Sequence, residues 1–187
     1  DYLIIGAGVM GLAMAKAIKS RSSNSKILII EKEHSVAEHA SGRNSGVLHA
    51  GFYYTADTLK AKFSVAGNNA WRAFCKDNSL SLNQTGKLVV ATDEGELAQL
   101  YELEKRGKQN GSQIEIISAE QARKIEPNAI THEAALWSPL TATLDPRQAC
   151  EVLAKQLLDQ NVDISFEDPY LKRQGTSVFS KRGAIEC

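Results

Sequence analysis

Residues Gly6-Ala7-Gly8-Val9-Met10-Gly11 sit between an unbroken apolar run, Tyr2-Leu3-Ile4-Ile5, and a proline-free stretch rich in Ala and Leu over 9–20. A short apolar run without alternation reads as a strand buried on both faces. The stretch after it reads as a helix. A second run, Lys26-Ile27-Leu28-Ile29-Ile30, follows and ends at Glu31. Strand, helix and strand within about thirty residues make a βαβ unit, which calls for parallel pairing and a right-handed crossover. The fold class is therefore α/β.

The glycine spacing has a chemical reason. Gly6 permits the tight turn out of the first strand, Gly8 lets backbone approach a pyrophosphate, and Gly11 lets the helix pack closely on the sheet. The helix start at Val9 and Met10 offers unpaired N–H groups and a positive dipole end to phosphates. Glu31 stands twenty residues after Gly11 at the end of the second strand, followed by Lys32. A carboxylate there accepts ribose hydroxyls and disfavours a 2′-phosphate. These features point to the ADP half of a dinucleotide and leave FAD and NAD open.

Further along, residues 57–76 place Leu59, Phe63, Ala66, Ala70 and Phe74 at steps of three and four, an amphipathic helix. Strands are predicted at 87–91, 114–117, 134–137 and 162–166, with a helix capped by Thr92 and ended at Asn110-Gly111. Ser118-Ala119-Glu120-Gln121 is a capping box for a short helix that Pro127 stops. Asp145-Pro146 opens a helix reaching Gln160. Residues 177–187 read as a strand, a Lys181-Arg182-Gly183 turn and the start of another strand. This order suggests one unit of 1–80 with 145–187, interrupted by a β-rich α+β unit over 81–144. Asp1 in place of Met and the stop inside a strand read as a chain trimmed at both ends.

Equal numbers of basic and acidic residues, 22 each, provide no bulk electrostatic reason for a nucleic-acid partner. No apolar run reaches the length of a membrane span, and no basic segment precedes the first strand as in a signal peptide. Peripheral membrane association stays open. Cys75, Cys150 and Cys187 are odd in number and far apart, which argues against a disulfide scaffold and for a reducing, cytoplasmic setting. No His/Cys spacing suits a metal, so none is expected.

The segment Ser41-Gly42-Arg43-Asn44-Ser45-Gly46-Val47-Leu48-His49-Ala50-Gly51 follows the second strand, at the carboxyl edge where doubly wound sheets bind ligands. Ser41, Asn44 and Ser45 offer donors, and Gly42 lets backbone lie close to a ring system. Arg43 is either an anchor for phosphate or carboxylate or a surface ion pair. His49 is the one candidate base of the segment, or a buried histidine bonded to backbone.

Residues 43–54, Arg-Asn-Ser-Gly-Val-Leu-His-Ala-Gly-Phe-Tyr-Tyr, with Leu59-Lys60-Ala61-Lys62, resemble the L-2-hydroxyglutarate oxidase/dehydrogenase family. Those enzymes belong to the wider D-amino-acid-oxidase-like flavoproteins. The similarity continues at Gly86-Lys87-Leu88, Glu126-Pro127 and Leu144-Asp145-Pro146-Arg147-Gln148. Arg43 departs from the His that the 2-hydroxyglutarate enzymes carry there. The resemblance implies a Rossmann-like, glutathione-reductase-type FAD domain with an inserted substrate domain, truncated at its C-terminus. It implies FAD held by Gly6, Gly8, Val9, Met10, Gly11, Glu31 and Lys32, with Ser41, Gly42, Arg43, Asn44 and Ser45 along the pyrophosphate and flavin. His49 and Arg43 are the catalytic candidates it points to. The implied reaction is oxidation of a small 2-hydroxy acid, L-2-hydroxyglutarate to 2-oxoglutarate, with oxygen or a quinone as acceptor. Alternatives are an amine, amino-acid or glycerol-3-phosphate substrate, or a non-catalytic dinucleotide-binding module.

Overall fold

The computed structural model describes residues 1–186, so Cys187 lies outside the described residues. In chain order the elements are β1 (Tyr2–Ile5), α1 (Val9–Arg21), β2 (Ile27–Ile30), β3 (Val47–Leu48), α2 (Leu59–Asp77), β4 (Leu82–Asn83), β5 (Lys87–Val90), α3 (Glu94–Gln109), β6 (Glu115–Ser118), α4 (Ala119–Ile125), β7 (Ala134–Ser138), β8 (Ala142–Leu144), α5 (Pro146–Asp159), β9 (Val162–Ser165), β10 (Tyr170–Gln174), β11 (Ser177–Ser180) and β12 (Gly183–Glu186). They fall into two units, Asp1–Ser45 with the chain from Asp145 onward, and Gly46–Leu144.

In the first unit β1 pairs with β2, and β2 with β9, all parallel, in the order β1-β2-β9. Parallel neighbours need a crossover, and α1 and α5 supply it, packed on each other beside the sheet. Ile29 and Ile30 of β2 and Leu12 and Ala15 of α1 are essentially closed to solvent. So are Leu157 of α5 and Val162 of β9. The α1–β2 turn is fixed by the buried Lys19, whose ammonium donates to Ser23 O at 3.1 Å and Ser25 O at 2.8 Å. Asp145 caps α5, accepting from Arg147 N at 2.9 Å and Gln148 N at 3.0 Å, with Pro146 in the first turn. A meander β10-β11-β12 completes the unit. Its first strand shows no alternation and is exposed throughout, which is why its sequence carries no strand signal.

In the second unit β5-β7-β6 form an antiparallel sheet, and β3-β8-β4 a smaller one. Phe52, Ala91, Leu97, Leu100, Ile114 and Leu136 share one core. The capping box at Ser118 and Gln121 forms as the sequence indicates. The cap of α3 is Asp93 rather than Thr92: Asp93 Oδ1 takes the Glu96 N–H at 2.9 Å, while Thr92 is held by the Glu96 carboxylate.

Two differences from the sequence reading have physical causes. The chain leaves the first unit at Ser45–Gly46 instead of near residue 80. Val47 and Leu48 pair with Thr143 and Ala142, and α2 is tied to the same unit by Asn68 and Arg72. The apolar stripe of α2 also does not face inward at its start. Leu59 and Phe63 are 68% and 69% exposed, whereas Ala61, Asn68 and Cys75 are buried. Asn68 faces inward, its amide donating to the carbonyls of Leu48, His49 and Leu140.

Among the described residues no helix is long and apolar enough to cross a membrane, and no group of three or more His, Cys, Asp or Glu could hold a metal. Cys75 and Cys150 are free and buried.

Candidate functional site

The glycine turn is built as its spacing requires. Gly6 adopts φ +98°, a left-handed conformation that a side chain would strain. A Cβ at Gly11 would stand 2.0 Å from Gly6 O and 3.2 Å from Ile4 Cγ2, so α1 reaches β1 only because this residue has none. A Cβ on Gly8 would lie 3.0 Å from Ser41 Oγ.

Helix α1 has no side-chain cap of its own at Gly8. Ser41 supplies one from a distance, its Oγ accepting the Val9 N–H at 3.0 Å. The N–H groups of Gly8, Met10 and Gly11 find no protein acceptor among the described residues. No acidic residue occupies the first turn, and Met10 is 78% exposed. The result is an open helix start with a partial positive charge and three directed donors, which suits a phosphate oxygen.

Glu31 is buried at the end of β2 and closes this turn. Its Oε2 accepts from Ala7 N at 2.7 Å and its Oε1 from Glu33 N at 3.0 Å. Lys32 turns to Glu33, and His39 Nε2 meets the same Glu33 Oε1 at 2.7 Å. Hydrogen bonds from Lys32 and His39 hold the Glu33 carboxyl down at about 2.

The loop carrying Ser41 is organised around Glu38. Arg147 Nη2 lies 2.6 Å from Glu38 Oε1, Arg43 Nη2 3.6 Å from Oε2, and His34 Nε2 3.5 Å from Oε1. The Ser35 hydroxyl donates to the same carboxylate and, with Arg147, holds its pKa below the usual range. Arg43 is therefore a largely exposed member of an ion cluster. Asn44 donates to Ala40 O at 2.9 Å and Ser41 O at 3.0 Å, fixing the loop. Gly42 packs on the backbone of Ala37, while Ser45 is exposed.

His49 belongs to the second unit, where side chains from three places hold the backbone of its segment. Asn68 Nδ2 donates to Leu48 O at 3.2 Å and His49 O at 3.1 Å. Ser112 Oγ donates to Ala50 O at 2.6 Å. Asn110 Nδ2 donates to Gly51 O at 3.1 Å and Tyr54 O at 2.7 Å, and Arg106 Nη1 to Tyr53 O at 3.1 Å. The Asn68 amide is fixed in turn by Arg72 Nε on its Oδ1 at 2.8 Å.

Sequence reasoning missed Asn68, Arg72, Arg106, Asn110 and Ser112. The backbone carbonyls they hold lie 19 to 72 residues away, so no local pattern marks them. The one available signal was an Asn at the centre of an otherwise apolar-patterned helix.

His49 is exposed, so the reading of a buried, backbone-bonded histidine does not hold; the Asn68 amide meets its carbonyl, and among the described residues its ring has no hydrogen-bond partner. Partial desolvation, then the positive charge of Lys87, push its pKa below the ordinary value. A neutral imidazole at neutral pH is the form that can accept a proton.

Over residues 1–186 the chain matches the family described as FAD dependent oxidoreductase. It is 39% identical over 155 residues to an L-2-hydroxyglutarate dehydrogenase of Escherichia coli, covering 83% of this chain and 36% of that protein. To the mitochondrial L-2-hydroxyglutarate dehydrogenase of Bos taurus it is 36% identical over 182 residues, covering 95% and 39%. Among solved structures, dithionite-reduced L-alpha-glycerophosphate oxidase from Mycoplasma pneumoniae with FAD bound aligns with a TM-score of 0.82 at 28% identity. That match takes in 96% of this chain and 48% of the other. The chain thus spans 36% to 39% of the length of these two curated relatives.

Proposed function

The chain belongs to the FAD dependent oxidoreductase family, and on that premise we propose that it is the FAD-holding portion of an enzyme oxidising a 2-hydroxy acid, L-2-hydroxyglutarate to 2-oxoglutarate. The observation that carries the cofactor part is the open start of α1. Gly8, Met10 and Gly11 present donors without protein acceptors, next to a carboxylate at the end of β2. This is the donor set that a pyrophosphate and a ribose require. The relatives named for L-2-hydroxyglutarate support the substrate part.

In this reading the first unit is a Rossmann-like, glutathione-reductase-type half-site and the second carries part of an inserted substrate domain. Gly8, Met10 and Gly11 hold the pyrophosphate by backbone N–H, Gly6 shapes the turn beneath it, and Val9, capped by Ser41, opens the helix. Glu31 takes ribose hydroxyls with the lone pairs that Ala7 and Glu33 leave over, and Lys32 flanks it. Ser41, Gly42, Arg43, Asn44 and Ser45 line the remainder of the cofactor. Bound FAD supplies the two-electron acceptor that no side chain can provide. His49, neutral at pH 7, takes the proton of the substrate hydroxyl as general base. Arg43 keeps a carboxylate or phosphate near the ring system, drawing on a guanidinium only weakly engaged by Glu38. Oxygen or a quinone serves as the final acceptor.

The test is a spectrum of the full-length protein with and without added FAD. Flavin absorbance near about 450 nm that bleaches anaerobically with L-2-hydroxyglutarate supports the whole reading. Bleaching by L-glycerol-3-phosphate, glycine or sarcosine instead moves the substrate to another class. Absence of flavin, together with failure to bind added FAD, removes the cofactor assignment. The glycerophosphate substrate is a second reading because the aligned Mycoplasma pneumoniae oxidase is named for that chemistry.

A further inference from the structure

We infer that Lys87, at the start of β5 and over the ring of Tyr53 in the segment that carries His49, is the anchor for a carboxylate of the substrate. This rests on the hydroxy-acid reading above and adds the residue that recognises the acid.

Lys87 opens β5, where it pairs with Ser138 of β7. A residue at the mouth of a paired strand is held by the sheet, so its side chain starts from a fixed point. Its ammonium lies 4.7 Å from the centroid of the Tyr53 ring. That ring is itself fixed, since Arg106 holds the Tyr53 carbonyl and Asn110 those of Gly51 and Tyr54. The Tyr53 ring also packs on Phe52, with centroids 4.3 Å apart.

Lys87 shares with Lys60 the property of meeting an aromatic ring rather than a carboxylate. Arg43 and Arg147 share Glu38, and Lys32 has Glu33. Among the described residues no Asp or Glu forms an ion pair with Lys87. A lysine over an aromatic face is stabilised by the ring, and it keeps N–H donors free. Lys60 repeats the arrangement over the Tyr54 ring at 4.4 Å.

Lys87 stands over Tyr53, four residues after His49 in the same tethered segment, and its positive charge adds to partial desolvation in lowering the His49 pKa. One residue is thus poised to accept a hydroxyl proton while its neighbour carries a permanent positive charge. A 2-hydroxy acid presents that pair of demands, a hydroxyl to deprotonate and a carboxylate to neutralise. A neutral amine or alcohol would have no use for the second.

The experiment uses full-length holoenzyme as wild type, Lys87→Met, Lys87→Gln and Lys87→Arg. L-2-hydroxyglutarate oxidation gives KM and kcat, and perturbation of the flavin spectrum by glutarate gives a Kd that needs no turnover. Loss of the ammonium should raise KM and the glutarate Kd by about ten- to hundredfold, the size of a lost charge-assisted hydrogen bond. kcat should change by less than about threefold, the signature of lost uniform binding. Lys87→Arg should restore most of the affinity. The Gln variant keeps a polar side chain of similar reach, so the comparison survives if Met perturbs folding. Unchanged KM and Kd in the Met or Gln variant of an active enzyme would overturn the Lys87 assignment and leave the hydroxy-acid reading intact. A wild-type flavin that is neither reduced by L-2-hydroxyglutarate nor perturbed by glutarate would overturn both.

Discussion

The Glu31 carboxylate accepts the Ala7 N–H at 2.7 Å, so the end of β2 and the glycine turn after β1 are joined by a buried hydrogen bond. With the Glu33 N–H on its other oxygen, the carboxylate uses two of about four lone-pair sites. One residue thereby fixes the glycine turn and keeps acceptor sites that the proposed function assigns to a ribose. Replacing it with Leu leaves two backbone donors without partners. Glu31→Leu should lower unfolding free energy by about 2 kcal/mol or more in urea titrations of the apo-protein, before any cofactor effect is counted. An unchanged apo-protein midpoint would show that the contact stabilises nothing.

Ser41 caps a helix that lies over thirty residues earlier in the chain. Ser41→Ala should cost about 1 kcal/mol, as for a lost local cap. Amide exchange is the sharper measurement, because protection should fall in the first turn of α1 and stay constant in α5.

Gly11 admits no Cβ. Gly11→Ala must push α1 away from β1, with a cost of about 2 kcal/mol or more in thermal or denaturant melts. Gly175, where nothing lies within 4 Å of a Cβ but φ is +61°, makes a useful comparison, since only backbone strain should appear there.

Asn110 holds two carbonyls with one amide. Asn110→Asp faces both with an acceptor, so the loss should exceed that of a single hydrogen bond, about 2–3 kcal/mol in all. Faster amide exchange across residues 51–54 would locate the effect. Equal protection in the variant would remove Asn110 from the support of this segment.

His49 should titrate below 6.5 in the folded protein, because partial desolvation and then the charge of Lys87 disfavour its protonated form. The unfolded chain then binds the proton more readily. The stability that His49 contributes is fully present above pH 6.5 and is lost as pH falls through the lower folded value. Histidine NMR titration reads the midpoint directly, and Lys87→Met should move it upward. A midpoint above 6.5 would contradict the environment described for this ring.

Much of the βαβ segment was legible because its determinants are local. Glycine spacing, two apolar strands and a terminal acid lie within the first 31 residues, and each acts through backbone geometry that the residue type itself dictates. Asp145 with Pro146 and Ser118 with Gln121 were readable for the same reason, since caps act over three residues. The cap of α3 was misplaced by one residue because Thr92 and Asp93 are both competent, and the side chain of Glu96 settles which is used.

The sequence by itself determined the α/β class, the glycine turn and the residues proposed for the ADP group. It also indicated His49, as the one candidate base of its segment, and through resemblance the 43–54 stretch. Only the tertiary structure decided which groups are already engaged. Arg43 lies beside Glu38, and α2 turns Asn68 inward while Leu59 and Phe63 stay exposed. The side chains holding 48–54 come from α2 and from the end of α3, and Lys87 stands over Tyr53 without an acid. Periodicity and capping are short-range effects written into neighbouring residues. Hydrogen bonds and charge pairs between distant residues depend on where the packed chain brings them, and no spacing along the sequence encodes that.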